Sequence, residues 1–232
     1  MSSRFDSKIP KTEALVCAFD ASNPASVPNQ NDTTPATIYD CSSNGNDASV
    51  TSGEFSLTVR DGVRCWDNDG SDAGYTITST SDLTTSDFSV AFWMNPDAQN
   101  ATYERFFAQG SNSFEITMGN EDTAFGTIRW YDGTWNSSAD NVYTGEWNLV
   151  VLVYDYGSPP KVYIFPTISG APTVYTHGSN RSRTRSGNIY FGGDQSGTEI
   201  YNGGIGSFYM WKTVLSADNV YTLFTQTKRR YI

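Results

Sequence analysis

Acidic residues that could bind a metal ion are concentrated in the run Asp67-Asn-Asp-Gly-Ser-Asp72. Ca²⁺ takes several oxygen ligands, and carboxylates that alternate around a glycine turn can supply them. We therefore predict that Asp67, Asp69 and Asp72 bind Ca²⁺, which is the one cofactor that the sequence suggests. The run lacks the closing glutamate of an EF-hand, so an Asx-rich turn between two strands is the alternative.

A second group of residues has the chemistry of carbohydrate binding. An aromatic ring stacks on the apolar C–H face of a sugar, while polar side chains bind the sugar hydroxyls. The run Arg129-Trp-Tyr-Asp-Gly-Thr-Trp135 predicts a β-hairpin that turns at Asp-Gly. If Trp130 faces the core, alternation turns Tyr131 outward, and Trp135 lies just beyond the turn. We therefore predict that Tyr131 and Trp135 contact a glycan.

Three arginines could add charge to this surface. Arg181, Arg183 and Arg185 alternate in the sequence, so an extended segment would place all three on one face. Guanidinium groups bind carboxylates and sulfates bidentately, which makes these arginines candidates for contacts with a sulfated or uronic-acid glycan. The alternative is a solvated strand edge whose charges prevent aggregation.

The composition favours an all-β protein and excludes some classes of partner. Hydrophobic residues make up 38% of the 232 residues and charged residues only 17%, so neutral turn-forming residues supply most of the polarity. The net charge of −10 opposes binding to a phosphate backbone, and we expect no nucleic-acid partner. We find no apolar run of membrane-spanning length and no signal-peptide core. We therefore expect no membrane insertion and a cytosolic site of synthesis.

The elements that must position these residues are short strands separated by Gly, Asn, Asp and Ser. The longest apolar run, Trp147–Tyr154, is rich in β-branched residues, which predicts a central buried strand. Trp66, Trp93 and Trp211 also lie in apolar strands and are expected in the core. Other strands are predicted at 14–19, 55–59, 64–66, 75–78, 88–94, 105–109, 114–118, 127–131, 161–165, 173–176, 188–191 and 204–211.

One domain is expected, because no linker or repeat interrupts the pattern. We predict an N-terminal arm over residues 1–13, the β-domain over 14–224 and a basic tail over 225–232, in which Lys228-Arg-Arg230 could dock on an acidic partner surface. Ser216 is a good N-cap, which predicts a short C-terminal helix of about two turns. Cys17, Cys41 and Cys65 have no metal-type spacing, and we expect free, mostly buried thiols.

Several stretches together resemble the concanavalin A-like jelly roll, in particular its laminin G-like branch. They are Phe88-Ser-Val-Ala-Phe-Trp-Met-Asn-Pro96, Gly145-Glu-Trp-Asn-Leu-Val-Val-Leu-Val-Tyr-Asp155, Lys161-Val-Tyr-Ile-Phe165 and Asn202-Gly-Gly-Ile-Gly-Ser-Phe-Tyr-Met-Trp211. The resemblance covers roughly residues 14–224. It implies a sandwich of two antiparallel sheets with a single short C-terminal helical turn.

A narrower resemblance links both ends of the chain to virion structural proteins of tailed bacteriophages, particularly cyanophages. It rests on Leu15-Val-Cys-Ala-Phe-Asp-Ala-Ser-Asn-Pro24, Tyr39-Asp-Cys-Ser-Ser-Asn-Gly-Asn46 and Thr227-Lys-Arg-Arg-Tyr-Ile232. It implies a capsid decoration or fibre module that is assembled in the host cytoplasm, resides in the virion and contacts other virion proteins. A lectin-like surface would bind host-cell glycans, and a homo-oligomer is possible.

Enzymatic activity is not expected. The jelly roll also occurs in glycoside hydrolases, which commonly carry Glu-x-Asp-x-x-Glu on one strand, and the nearest match here begins at Glu115. Thr117 replaces the middle acid, and a Gly-Asn pair interrupts the strand before Glu121. His177 is the single histidine and has no Gly-x-Ser-x-Gly partner. A polysaccharide-degrading enzyme, a secreted bacterial adhesin module and an architectural module without a ligand stay open as alternatives.

Overall fold

The computed structural model describes residues 9–10, 12–42, 44–51, 53, 55–71, 74–78, 86–97, 104–110, 114–120, 123–168, 171–181, 186–193 and 199–232. Short 3₁₀ turns occupy Thr12–Ala14 and Lys228–Arg230. The strands and the helix are β1 (Leu15–Asp20), β2 (Thr37–Ile38), β3 (Ala48–Val50), β4 (Ser56–Arg60), β5 (Val63–Asp69), β6 (Tyr75–Ile77), β7 (Phe88–Pro96), β8 (Glu104–Gln109), β9 (Phe114–Asn120), β10 (Thr123–Tyr131), β11 (Trp135–Asn141), β12 (Asn148–Tyr154), β13 (Lys161–Pro166), β14 (Thr173–Thr176), β15 (Ile189–Phe191), β16 (Asn202–Trp211) and α1 (Ala217–Thr227).

These strands form two antiparallel sheets. Sheet A has the order β14-β13-β12-β7-β16-β5-β4, and β1 also pairs with β16. Sheet B has the order β11-β10-β9-β8-β15-β6-β3-β2. Many neighbours in each sheet are distant in sequence, which is typical of a jelly roll and not of a meander. The predicted two-sheet sandwich is therefore confirmed.

Strand β16 lies at the centre of sheet A and has two partners along one edge. Its first half pairs with β5, its second half pairs with β1, and β7 covers the other edge. The ladder is irregular between Ile205 and Ser207, and a side chain at Gly206 would meet the Tyr231 ring at 2.5 Å. Glycine is thus required where the C-terminal segment crosses the sheet.

The main core fills the space between the two sheets. Strand residues from both inner faces meet there, as the period-two alternation predicts. Phe191 of sheet B stacks on Phe19 and Phe208 of sheet A, with ring centroids 5.6 and 5.2 Å apart. Trp66 and Trp130 are fully buried in the same cluster.

A second apolar layer covers the outer face of sheet A. Helix α1 and Tyr231 pack there on Trp93, Trp147 and Trp211, which confirms that these tryptophans are buried. The Tyr231 ring stacks on Trp93 with centroids 4.1 Å apart, and its hydroxyl donates to Ser207 Oγ at 3.0 Å. This layer explains why residues of both the predicted N-terminal arm and the predicted C-terminal tail pack against the sheet.

Residues of the predicted arm and tail pack on this layer. Ile9 belongs to the outer layer, and Pro10 O accepts a hydrogen bond from Trp211 Nε1 at 2.9 Å. Helix α1 begins after the N-cap Ser216, whose Oγ accepts from the Asn219 amide, and it runs for 11 residues, longer than the predicted two turns.

The three cysteines are buried and form no disulfide, as expected. Burial raises the pKa of the Cys41 thiol to about 11 and that of Cys65 to about 12, so both stay protonated at neutral pH. No helix among the described residues has the length and apolarity to cross a bilayer.

Candidate functional site

The predicted hairpin is present at the edge of sheet B. Strands β10 and β11 pair antiparallel, with Tyr131 opposite Trp135. The Asp132 amide donates to Thr134 O at 3.3 Å across the turn. Gly133 has a φ of +103°, a conformation that favours glycine over residues with a Cβ. The Asp-Gly pair therefore fixes the turn that brings the two aromatic residues together.

The two predicted aromatic residues form a pair on the outer face of sheet B. Their ring centroids are 5.3 Å apart, and 37% of Trp135 is exposed to solvent. Trp130, which directly precedes Tyr131, is fully buried on the core side. The Arg129 guanidinium carbon lies 4.7 Å from the Trp135 ring centroid, a cation–π contact. We call Tyr131 and Trp135 the aromatic platform.

Arg181 lies beside this platform, but its guanidinium is engaged within the protein. Its Nε is 3.5 Å from Oδ2 of Asp132, whose side chain is fully buried. Its Nη1 donates to Thr134 Oγ1 at 3.1 Å, and its Nη2 donates to Asn136 Oδ1. Of the three predicted anion-binding arginines, Arg181 therefore holds the hairpin turn, while Arg183 and Arg185 lie outside the described residues.

The backbone of Arg181 is fixed to the other sheet. Its amide donates to Ser158 O at 3.1 Å, and Ser158 belongs to the loop between β12 and β13 of sheet A. His177 Nε2 lies 3.2 Å from Arg181 Nη2, and the imidazole meets the Trp130 ring edge-on with centroids 5.6 Å apart. Arg181 thus connects the edge of sheet A to the hairpin of sheet B.

The sequence did not single out Asp132, Asn136 or His177 as members of this cluster. Asn136 Nδ2 donates to Asp132 Oδ1 at 3.1 Å and to Thr134 O at 2.8 Å, so the amide closes the turn from within. The Asp-Gly signal located the turn, but no local pattern indicated an arginine 45 residues away. Only the pairing of the sheets reveals it.

The two predicted calcium ligands that the structure describes have other partners. Asp67 Oδ1 lies 2.7 Å from Arg60 Nη2, and that guanidinium also binds Asp97 through two hydrogen bonds of 2.8 Å. Asp69 Oδ1 accepts from the amide and hydroxyl of Ser71.

Burial raises the pKa of Asp67, whereas the Ser71 hydrogen bonds lower that of Asp69. The third predicted ligand, Asp72, lies outside the described residues. Within the described part of the chain, no three His, Cys, Asp or Glu side chains form a metal-binding group. The described residues of this loop therefore do not fit a calcium site.

The glutamate with the closest match to a glycosidase pattern takes part in an ion cluster. Glu115, 3% exposed on β9, has Oε2 3.2 Å from Arg105 Nη2. Arg105 Nε in turn lies 2.7 Å from Glu199 Oε2. Thr117 occupies the position of the middle acid and is fully buried, and Glu121 lies outside the described residues. Arg105 therefore contacts the carboxylates of both glutamates.

The chain belongs to the concanavalin A-like lectin/glucanases superfamily, because a laminin G-type family model of that description matches residues 68–221, well over half of the sequence. No curated protein matches the sequence.

Solved structures share the fold over nearly the whole chain. Domain 4 of AbnA, a GH43 extracellular arabinanase from Geobacillus stearothermophilus in complex with arabinotriose, has a TM-score of 0.62 at 14% identity. The match covers 89% of this chain and 96% of that domain.

Two longer proteins contain the same fold. Trypanosoma rangeli sialidase, in complex with sialic acid, matches with a TM-score of 0.63 at 14% identity over 96% of this chain. The receptor binding domain of botulinum neurotoxin C/D mosaic serotype matches with a TM-score of 0.66 at 12% identity over 93%. This chain spans 34% of the sialidase and 52% of the toxin domain. These similarities establish the fold.

Proposed function

We propose that this protein is a non-enzymatic carbohydrate-binding module and that glycan binds at the aromatic platform. The observation that carries the proposal is the exposure of Trp135 beside Tyr131 on the outer face of sheet B. A large apolar ring at the surface costs hydration unless a ligand covers it. A sugar ring provides the matching C–H face, and polar neighbours bind its hydroxyls.

The cluster around Arg181 supports this function because it makes the platform rigid. Arg181 joins Thr134 and Asn136, the residues on either side of Trp135, by hydrogen bonds. A surface that is ordered before binding loses less conformational entropy when the ligand arrives. Arg181 is therefore a positioning residue in this proposal, and Trp135 and Tyr131 are the residues that contact the sugar.

The comparisons support the ligand class by analogy of fold. One neighbour is a domain in complex with arabinotriose, and another is a sialidase in complex with sialic acid. Fold analogy alone does not transfer a site, so the proposal depends on the platform of this chain.

We propose that this chain has no catalytic activity, because of the geometry of its acidic residues. A retaining glycosidase needs one ionised carboxylate and one protonated carboxyl group about 5–5.5 Å apart. In this chain Arg105 lies between Glu115 and Glu199 and contacts both. An enzyme that uses other carboxylates is the alternative, and release of reducing sugar would reveal it.

We place the module on a tailed-phage virion, as a capsid decoration or fibre protein. The support is that the three stretches that resemble virion proteins contact one another. The Ala18 amide donates to Asp40 Oδ1 at 2.9 Å, and Arg230 forms an ion pair with Asp20. They therefore form one structural unit with β1 at its centre, on which other virion proteins would dock. Mass spectrometry of purified virions should detect peptides of this chain, and their absence would contradict this setting.

A glycan array followed by calorimetric titration tests the binding function. The wild-type protein should bind a subset of glycans, and Trp135→Ala should weaken that binding at least tenfold, or about 1.4 kcal/mol. Tyr143→Ala is the matched control, because Tyr143 is also an exposed aromatic residue, at 44%, but follows the far end of β11. An array without hits, or an equal loss in both variants, would contradict the proposal.

A further inference from the structure

The single histidine of the sequence, His177, contacts the arginine that holds the hairpin turn. It directly follows β14, and its amide donates to Pro160 O at 2.9 Å, just before β13 of sheet A. Its ring is packed edge-on against Trp130 of sheet B. The imidazole is therefore held between the two sheets, but it is only half-buried, so solvent protons can reach it.

The contact between His177 and Arg181 requires a neutral imidazole. Nε2 of the ring lies 3.2 Å from Arg181 Nη2. A guanidinium group has five donors and no acceptor, so Nε2 can only accept in this hydrogen bond. The ring proton must then be on Nδ1, which lies 3.0 Å from Ser179 O as its acceptor. A second proton would have to bind Nε2, where it would point at the guanidinium donors.

A protonated His177 would also place a second cation in the cluster. Among the described residues, the carboxylate that contacts Arg181 is that of Asp132, with Oδ2 3.5 Å from Nε. One negative charge would then face two positive charges. Like charges at hydrogen-bond distance repel each other, and partial burial reduces the screening by solvent. Protonation of the ring should therefore displace the guanidinium.

The neighbouring elements supply no charge that would compensate for this repulsion. Asp155 and Lys161 carry opposite charges and line a cavity in the outer apolar layer of sheet A, whereas His177 lies against Trp130 of sheet B. Tyr175 of β14 also packs beside Trp130, with ring centroids 6.3 Å apart, but it contributes a phenol ring and no carboxylate. The response of the ring to pH is therefore determined by Arg181 and its buried aspartate.

We propose that His177 is a pH sensor that loosens the aromatic platform when the solution becomes acidic. The Nη2 atom that His177 contacts also donates to Asn136 Oδ1, and Nη1 donates to Thr134 Oγ1, so the guanidinium bonds the residues on both sides of Trp135. Neutral imidazole accepts from Arg181 and keeps these bonds in place, whereas imidazolium repels Arg181 and breaks them. Histidine is the side chain that ordinarily changes charge between pH 5 and 8. The effect on ligand binding rests on the proposed glycan site, but the change in the hairpin does not.

Indole ¹H–¹⁵N NMR spectra of the full chain at about pH 7.5 and about pH 5.5 test the sensor without any glycan. The Trp130 indole lies against the imidazole and reports its protonation, while the Trp135 indole reports the state of the hairpin. Both resonances should shift in the wild-type protein with the same midpoint. Neither should shift in His177→Gln, whose amide oxygen can accept from Arg181 but does not titrate.

Ser179→Ala is the matched control for a substitution beside the ring. Ser179 contacts His177 through its backbone carbonyl and amide, so this variant should keep both wild-type shifts. With a glycan found on the array, the wild-type protein should bind about threefold more weakly at the lower pH. That loss corresponds to a platform that is competent in about one third of the molecules. His177→Gln should bind the same glycan equally at both pH values.

Three spectral results would overturn the proposal: a Trp130 resonance that does not move, a Trp135 resonance that stays in place while Trp130 moves, or a Trp135 shift that persists in His177→Gln. The first two are observed in the wild-type protein and do not depend on the folding of a variant. An equal loss of glycan affinity in wild type and His177→Gln would refute the regulatory role. An array without hits would contradict the proposed function alone, because the spectra still show whether His177 acts on the hairpin.

Discussion

Removal of the Arg181 guanidinium should destabilise the whole domain, because Asp132 would keep a buried charge without its cation. At the observed separation of 3.5 Å, Coulomb attraction amounts to about 5 kcal/mol at an effective dielectric constant of about 20. Part of this attraction is offset, because solvent screens Arg181, whose side chain is 23% exposed, and because pairing removes water from its guanidinium. We therefore expect Arg181→Met to lower the free energy of unfolding by about 2–3 kcal/mol. For a domain of this size that loss corresponds to a melting temperature about 5–10 °C lower.

A double-mutant cycle separates the ion pair from other effects of the substitution. Asp132→Asn keeps the shape of the side chain and removes its charge, so Arg181→Met in that background should cost less than about 1 kcal/mol. The coupling energy from urea unfolding should then be about 1–2 kcal/mol. Arg229→Met serves as the control, since Arg229 is exposed at the C-terminal 3₁₀ turn. A loss below about 0.5 kcal/mol, or a coupling energy near zero, would refute a stabilising role of the Arg181–Asp132 ion pair.

Three further outcomes follow from the same structure. Trp147→Ala should cost about 3–5 kcal/mol in urea unfolding, because Trp147 is 2% exposed and packs on Tyr231; a loss below about 1 kcal/mol would place it outside the core. Millimolar Ca²⁺ should change the melting temperature by less than about 1 °C relative to EDTA, since Arg60 already pairs with Asp67; a rise of about 5–10 °C that Asp69→Ala abolishes would restore the calcium site. Native protein at pH 7.5 should resist thiol labelling that reaches all three cysteines in urea, because all three are buried and burial raises the thiol pKa of Cys41 and Cys65; rapid native labelling would contradict their burial.

The sequence predicted most strands because their apolar residues alternate or form short runs. It missed β2 and β3, which have two and three residues and are too short for any period to be visible. It also missed β11, whose sequence Trp-Asn-Ser-Ser-Ala-Asp-Asn is mostly polar. That strand exists because pairing with β10 satisfies its backbone, with Asn136 and Ser137 opposite Trp130 and Arg129. The hydrophobic pattern of a sequence does not reveal an edge strand that is mostly polar.

The candidate site was predictable only where local chemistry determines it. Asp-Gly indicated the turn, and alternation turned Tyr131 away from the core, so the aromatic platform followed from about seven residues. The partner of Arg181 did not follow, since Asp132 and Arg181 meet only after two sheets have formed. In the same way, nothing in the acidic run around Asp67 indicates that Arg60 will lie 2.7 Å from its carboxylate.

Charge balance explains why local sequence does not reveal the partners of the described arginines and aspartates. The chain has 25 acidic and 15 basic residues, so carboxylates outnumber the cations that could pair with them. Arg60, Arg105, Arg181 and Arg230 each contact at least one carboxylate, and Arg60 and Arg105 contact two. In such a chain an arginine that approaches the surface of a sheet meets an acidic side chain of the same protein before it meets an external anion. In this chain a row of arginines is therefore weak support for an anionic ligand.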